Sequence, residues 1–308
     1  MPSARSAEFL VRTVTGLERL TAAELTEAGH RVVDVTKRQL VVEAAGPVET
    51  RLADDQFTIR ASVPDPGHTR TALGRAVAEL TRHLAPEPRL SVTASFTGAR
   101  NFSRYDIEDA VGARLGAPYF SRRHGTPPPP GTTDVRVALD GKVMWLGVRP
   151  HAVPLHRRAW RRATVVGSLH PPVAAAMARL ADLRPGHVVL DPCCGAGTLL
   201  IEARLREPGA SYHGRDVDPK AIEAARLNEP AIDWRTEERN PDRILANPPW
   251  GVRLPATARF SRGWPEAERL VAVLGEGQRL DRRWRTVEEH PLTVAGRHVR
   301  MIVALIGK

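Results

Sequence analysis

His187-Val-Val-Leu-Asp191-Pro-Cys-Cys-Gly195-Ala-Gly197-Thr198 is the stretch that decides how the C-terminal half folds. Its apolar run reads as a buried strand that delivers the chain to a sheet edge. Gly195 and Gly197 then permit a tight turn and let a ligand approach the backbone. The helix predicted to follow, Thr198–Arg206, begins with free N–H groups that can receive a polar group. A second strand, Ala210–Asp216, ends nineteen residues after Gly197 in an acidic side chain, the position from which ribose hydroxyls are held. Two glycines alone need do no more than turn the chain. Strand, glycines, helix and acidic strand end together indicate a nucleotide-type ligand, and Gly-Ala-Gly-Thr, unlike GxGxxG, points away from a dinucleotide.

Outward from this stretch, strand and helix alternate: a helix from Pro172, then Lys220–Asn228, a short strand at Ile232–Thr236 and another at Arg243–Asn247. Short-range alternation of this kind predicts βαβ units and a mostly parallel sheet. The last strand runs into Asn247-Pro248-Pro249-Trp250, about 56 residues after Asp191. Its chemistry suits an exocyclic amine on a base, a poor nucleophile because its lone pair is delocalised into the ring. The Asn247 amide oxygen and the Pro248 carbonyl, aimed at the amine hydrogens, would favour a pyramidal nitrogen, and the prolines fix that geometry beforehand. Trp250 could stack on the base once it has left its own stack. An ordinary turn beside a core tryptophan is the plainer alternative; the position at a later strand end of the same sheet favours catalysis.

The front half reads as two α+β regions. Phe9–Val14, a helix with Leu17, Leu20 and Leu25 on one face, and strands at Arg31–Val35 and Gln39–Ala44 form the first. Pro64, Pro66 and Gly67 mark a break. The second has a helical stripe at Leu73, Val77, Leu80 and Leu84, a strand at Leu90–Phe96, a helical stripe at Ile107, Val111 and Leu115, and a hairpin turned by Asp140-Gly141. Arg100, Arg104, Arg122 and Arg123, and further on Arg157, Arg158, Arg161 and Arg162 around Trp160, have the composition of a phosphate-binding surface with a stacking aromatic, although a solvated basic linker has it too.

The chain has 308 residues and a formal net charge of +10, which favours a polyanionic partner. Only Lys37, Lys142, Lys220 and Lys308 are lysines, and an arginine bias of this kind also follows from a GC-rich genome. No apolar run reaches the length of a membrane span and the N-terminus lacks a secretory pattern, so a cytoplasmic protein without membrane association is expected. The two cysteines, Cys193 and Cys194, are adjacent; no disulfide and no metal site are expected. They also lie in the glycine loop.

DPCCGAGT with the following IEA, GRDVDPKAIEAARLN and NPPW together resemble the motifs of class I methyltransferases acting on base amino groups. The segments RNFSR, DIEDAVG, SRRHG and DVRVALDGKVMWLGV resemble a THUMP module, and the first sixty residues resemble the ferredoxin-like domain that precedes it. By module order the chain is similar to the THUMP-containing tRNA guanine-N2 methyltransferases. The resemblance implies an α/β protein with a ferredoxin-like domain at 1–62, a THUMP domain at 63–150, a basic linker at 151–168 and a Rossmann-like domain at 169–308. It implies S-adenosyl-L-methionine as cofactor, held by Asp191, Cys193, Gly195, Gly197, Thr198, Asp216 and Asp218, with Glu237 at the adenine. Asn247, Pro248 and Trp250 would be catalytic, guanine N2 in the acceptor stem of tRNA the target, and the protein a monomer. Ribosomal RNA is an alternative substrate. Segments 229–246 and 252–268 are shorter than the family pattern, so an RNA-binding scaffold with a weakened methyltransferase domain is the competing expectation; a DNA amino-methyltransferase fits the front half poorly.

Overall fold

The computed structural model describes residues 7–116, 118–234, 240–250 and 260–307. The chain packs as two units, one of residues 1–12, 25–49 and 55–154, the other of residues 13–24, 50–54 and 155–308. Among the described residues no helix is long and apolar enough to cross a membrane.

The N-terminal unit is built on a seven-stranded sheet of β1 (Ala7–Thr13), β2 (Arg31–Thr36), β3 (Gln39–Ala44), β4 (Ala53–Pro64), β5 (Leu90–Phe96), β6 (Thr133–Leu139) and β7 (Val143–Val148), ordered β2-β3-β1-β4-β7-β6-β5. The break placed at 62/63 from Pro64 and Pro66 falls inside β4, so both predicted front domains share this sheet. Pro64 sits at the last position of its strand, where the missing N–H costs least. The β6–β7 hairpin forms at Asp140-Gly141, with Gly141 at φ 97°. Helix α2 (Arg70–Leu80) buries Leu73, Val77 and Leu80 as its periodicity predicts; α3 (Arg104–Leu115) buries Ile107, Val111 and Leu115. Both helices close over the inward positions of β5 and β6, Leu90, Val92, Val135 and Val137. Ser103 and Asp106 cap α3 reciprocally, which fixes where the helix starts.

The C-terminal unit holds a second sheet: β8 (Val188–Asp191), β9 (Ser211–Gly214), β10 (Asp233–Trp234), β11 (Arg243–Ala246), β12 (Arg269–Gly275), β13 (Trp284–Val294) and β14 (Arg297–Ile306), in the order β10-β9-β8-β11-β12-β14-β13. The five strands from β10 to β12 are parallel, and β14 enters antiparallel beside β12. Helices α4 (Pro171–Leu180), α5 (Thr198–Arg206) and α6 (Pro219–Asn228) supply the crossovers. Met177, Leu200, Ile222, Leu245 and Val271 are among the side chains sealed in the core. The two segments expected to be short, 229–246 and 252–268, are described only in part: β10 is a two-residue strand, and a 3-10 turn at Phe260–Gly263 precedes β12. At the outer edge, β13 carries a register shift between Thr286 and Glu288 and a proline, Pro291. Near its end Thr293 donates its N–H to Thr15 O at 3.1 Å.

Candidate active site

β8 and β11 are parallel neighbours, with Val189 opposite Arg243 and Leu190 opposite Ile244. Their carboxyl ends therefore reach the same edge, and the loop after Asp191 stands beside the turn at Asn247, the arrangement on which the sequence reading depends. This is where strand order reverses and where open α/β sheets take their ligands. Burial pushes the Cys193 thiol well up, and the charge of Asp191 adds to this; the backbone of Asn247 opposes both only in part. Cys193 is thus a neutral thiol at the seam between loop and turn, not a nucleophile.

The loop is held by acceptors at its rim. Asp191 accepts the Cys193 N–H at 3.0 Å, and Asp216 accepts the Gly195 N–H at 2.8 Å on one oxygen and the Asp218 N–H at 3.0 Å on the other. Asp191 is buried: desolvation first, then the neighbouring Asp216 charge, raise its pKa to about 7. Gly195 and Gly197 sit at φ 54° and 81°; a Cβ on Gly197 would meet the Trp234 ring at 2.6 Å, and one on Gly214 the same ring at 2.4 Å. Both positions therefore require glycine. Thr198 is buried at the helix start, and among the described residues its Oγ1 has no hydrogen-bond partner. Asp218 has a structural task, capping α6 by accepting the Lys220 N–H at 3.0 Å. Glu237 lies outside the described residues.

Asn247 is oriented by its Nδ2, which donates to Gly167 O at 3.3 Å. Its Oδ1 is buried and, among the described residues, unpartnered. Pro248 is buried. The turn is buttressed from β12: Gln278 donates to Pro249 O at 2.7 Å while accepting the Gly275 N–H at 2.8 Å. Trp250 is half-buried against the core, its indole N–H on Val273 O at 3.3 Å, so it forms a wall of the turn rather than a free platform.

The predicted RNA-binding arginines divide. Arg100 is corrected to a structural role: both its Nη atoms bond Asp65, at 2.5 and 2.8 Å, and both side chains are only 4% exposed. That pairing, with the N–H groups of Gly67 and Gly141, overcomes desolvation and holds the Asp65 carboxyl below its ordinary pKa. Arg122 pairs with Asp134 and Arg123 with Asp109 and Asp106, so both are largely compensated. Arg104 is exposed and lies over the Tyr105 ring. In the C-terminal unit Arg158 is committed to Glu202 at 2.8 Å, which also takes Arg51. Arg157 and Arg162 are exposed, and Arg161 is half-buried with its guanidinium pKa lowered by desolvation.

Asn228 went unnoticed in the sequence. Its Oδ1 accepts from the N–H groups of Arg162 and Ala163 at 2.8 and 2.9 Å, and its Nδ2 donates to the carbonyls of Ala163 and Ala196 at 2.9 Å each. All four of its hydrogen-bonding positions are used. The arginine-rich segment is thereby fastened to the cofactor-type loop. An asparagine closing α6, where glycine is the usual stop, was the available signal.

Residues 158–263 match the family model described as the RMKL-like methyltransferase domain. The chain is 35% identical over 232 residues to the tRNA (guanine(6)-N2)-methyltransferase of Thermus thermophilus, a match covering 68% of this chain and 66% of that protein. It is 32% identical over 144 residues to the U6 snRNA (guanine-N(2))-methyltransferase THUMPD2 of Bos taurus, covering 42% and 28%. The sequence matches thus span about two thirds of the first relative's length and less than a third of the second's. The fold is similar to the crystal structure of TrmN from Thermus thermophilus, with a TM-score of 0.74 and 26% identity over 97% of this chain and 99% of that one.

Proposed function

We propose that this chain, whose residues 158–263 belong to the RMKL-like methyltransferase domain family, methylates the exocyclic N2 amine of guanine in structured RNA, with the acceptor stem of tRNA as substrate. S-adenosylmethionine, when bound, supplies a methyl group on a positively charged sulfur. The residues present fit that cofactor. Gly195 and Gly197 carry the loop through positive φ, the Thr198 hydroxyl has no partner among the described residues, and Asp216 stands just beyond β9 for the ribose. Relatives named for guanine-N2 methylation of tRNA and of U6 snRNA support the choice of base and of RNA.

The carrying observation is the buried, unpartnered Oδ1 of Asn247 beside that loop. A buried carbonyl without a donor is costly, by about 1–3 kcal/mol, unless a ligand satisfies it. Accepting one amine hydrogen, with the Pro248 carbonyl taking the other, it turns the nitrogen lone pair toward the methyl group. With the cofactor bound, its methyl would pass from sulfur to that nitrogen, and the surplus proton would leave to water from the amine that Asn247 and Pro248 hold. No strong base is needed, because the proton can leave after the methyl group has been transferred.

Methyl transfer from labelled S-adenosylmethionine to unmodified tRNA transcripts, followed by mass spectrometry of nucleosides, tests the reading. N2-methylguanosine is the expected product. Product in ribosomal RNA alone would replace the substrate; RNA binding with no calorimetric binding of S-adenosylmethionine would leave a scaffold.

A further inference from the structure

An open groove of about 560 Å³ lies along the arginine-rich segment, lined by His156, Arg157, Arg158, Arg161 and Thr164 together with Val165, Gly167 and Ser168 of the turn 165–168. Arg158 is 9% exposed and already spent on buried Glu202, which Arg51 also neutralises. Two cations on one carboxylate leave a positive surplus before Arg161 is counted. Arg161 adds a buried Nε that, among the described residues, has no hydrogen-bond partner, and Arg157 is exposed at the rim. Among the described residues, no acidic residue lines the groove. A buried guanidinium N–H without an acceptor among the described residues, beside a surplus of positive charge, suits an anion with several oxygens.

Its location identifies the anion. The turn 165–168 is closed by Ser168 N–H to Val165 O at 3.0 Å and by Val165 N–H to Ser168 Oγ at 3.0 Å. Gly167 O takes the Asn247 amide, and the Val165 side chain comes within 3.6 Å of where a Cβ on Gly195 would stand. One four-residue turn therefore lines the groove and abuts both halves of the active site. We propose that this groove holds the phosphate adjoining the methylated nucleotide, with Arg161 as the buried clamp and Arg157 as the outer contact. The proposal rests on the reading of the site as an RNA base-amine methyltransferase. Arg161 is a positioning residue: it fixes the backbone so that the extruded base reaches Asn247, and it takes no part in methyl transfer.

The test is binding of an unmodified tRNA transcript to the full chain from about 50 to 200 mM salt, alongside S-adenosylmethionine calorimetry and steady-state kinetics. Arg161→Gln should raise the Kd for RNA about tenfold or more. It should also flatten the plot of log affinity against log salt by about 0.7–0.9, the signature of one lost phosphate contact. KM for RNA should rise with kcat and cofactor affinity retained, and Arg161→Lys should restore the salt slope. Arg157→Gln, at an exposed position that leaves folding alone, should give a smaller change in the same direction. An unchanged salt slope in both glutamine variants overturns the proposal, as does a loss of cofactor affinity with RNA affinity intact. If Arg161→Gln does not fold, an unchanged slope in Arg157→Gln overturns it by itself. RNA bound with this salt signature but never methylated would remove the proposed function and leave the groove standing. Methylation by both variants at wild-type KM would do the reverse.

Discussion

Arg100 sits in a sealed pair with Asp65, while Arg161 keeps a buried N–H unanswered beside an open groove. Both belong to stretches rich in arginine and aromatics. The difference lies in the acid that each stretch brings with it. Asp65, Asp106, Asp109 and Asp134 absorb Arg100, Arg122 and Arg123 in the N-terminal unit. In the segment from Arg157 to Arg162, Glu202 serves Arg158 and is shared with Arg51. Charge contributes to binding where it is uncompensated, and a net charge of +10 says nothing of where that is.

Arg100→Ala should cost the most, about 3–5 kcal/mol of stability, because it strands Asp65 as a buried charge. Urea denaturation checks this; unchanged stability with weakened RNA binding would reverse the comparison. Asn247→Ala should lower the rate of methyl transfer by about 10²–10³, the usual effect of removing one preorganised polar group, with the urea midpoint and cofactor affinity intact. A mere rise in KM would make Asn247 a binding residue like Arg161. Asp191 offers an intermediate case, a buried acid with no ion-pair partner among the described residues. Its pKa is raised to about 7, so the folded chain keeps a proton that the unfolded chain releases near pH 4. Its contribution to stability is therefore lost as pH rises through 7, by at most about 1.4 kcal/mol per pH unit. Asp191→Asn should gain on the wild type between pH 5 and 7 in urea titrations; parallel curves would show that Asp191 is ionised throughout. Arg123→Ala, on an exposed pair, should shift neither the urea midpoint nor RNA affinity measurably.

The parts of the architecture legible in the sequence were those set by local periodicity and chain order. The stripes at Leu73, Val77 and Leu80 and at Ile107, Val111 and Leu115 are buried, and Asp191 and Asn247 end adjacent strands. Pairings across long separations were not legible. Nothing near Arg100 announces that Asp65 will neutralise it, and nothing near Arg162 announces Asn228, because both contacts depend on how distant elements pack. The front boundary was missed for a related reason: prolines read as a break, yet a proline at a strand terminus is tolerated and β4 runs up to it. Trp250 was read as a stacking residue from its position in the sequence; that its indole N–H would be held by Val273 O of β12 was not legible there.

β13, eleven residues long at the margin of the second sheet, presents the kind of open backbone that recruits stray strands. Three features blunt it. The irregularity at Thr286/Glu288 spoils the spacing a newcomer would need, Glu288 and Glu289 would face like charges on an identical chain paired alongside, and the final stretch is already covered by Thr15. A chain with these features along its exposed margin is poorly suited to pair with copies of itself, its self-avoidance written along that long edge strand.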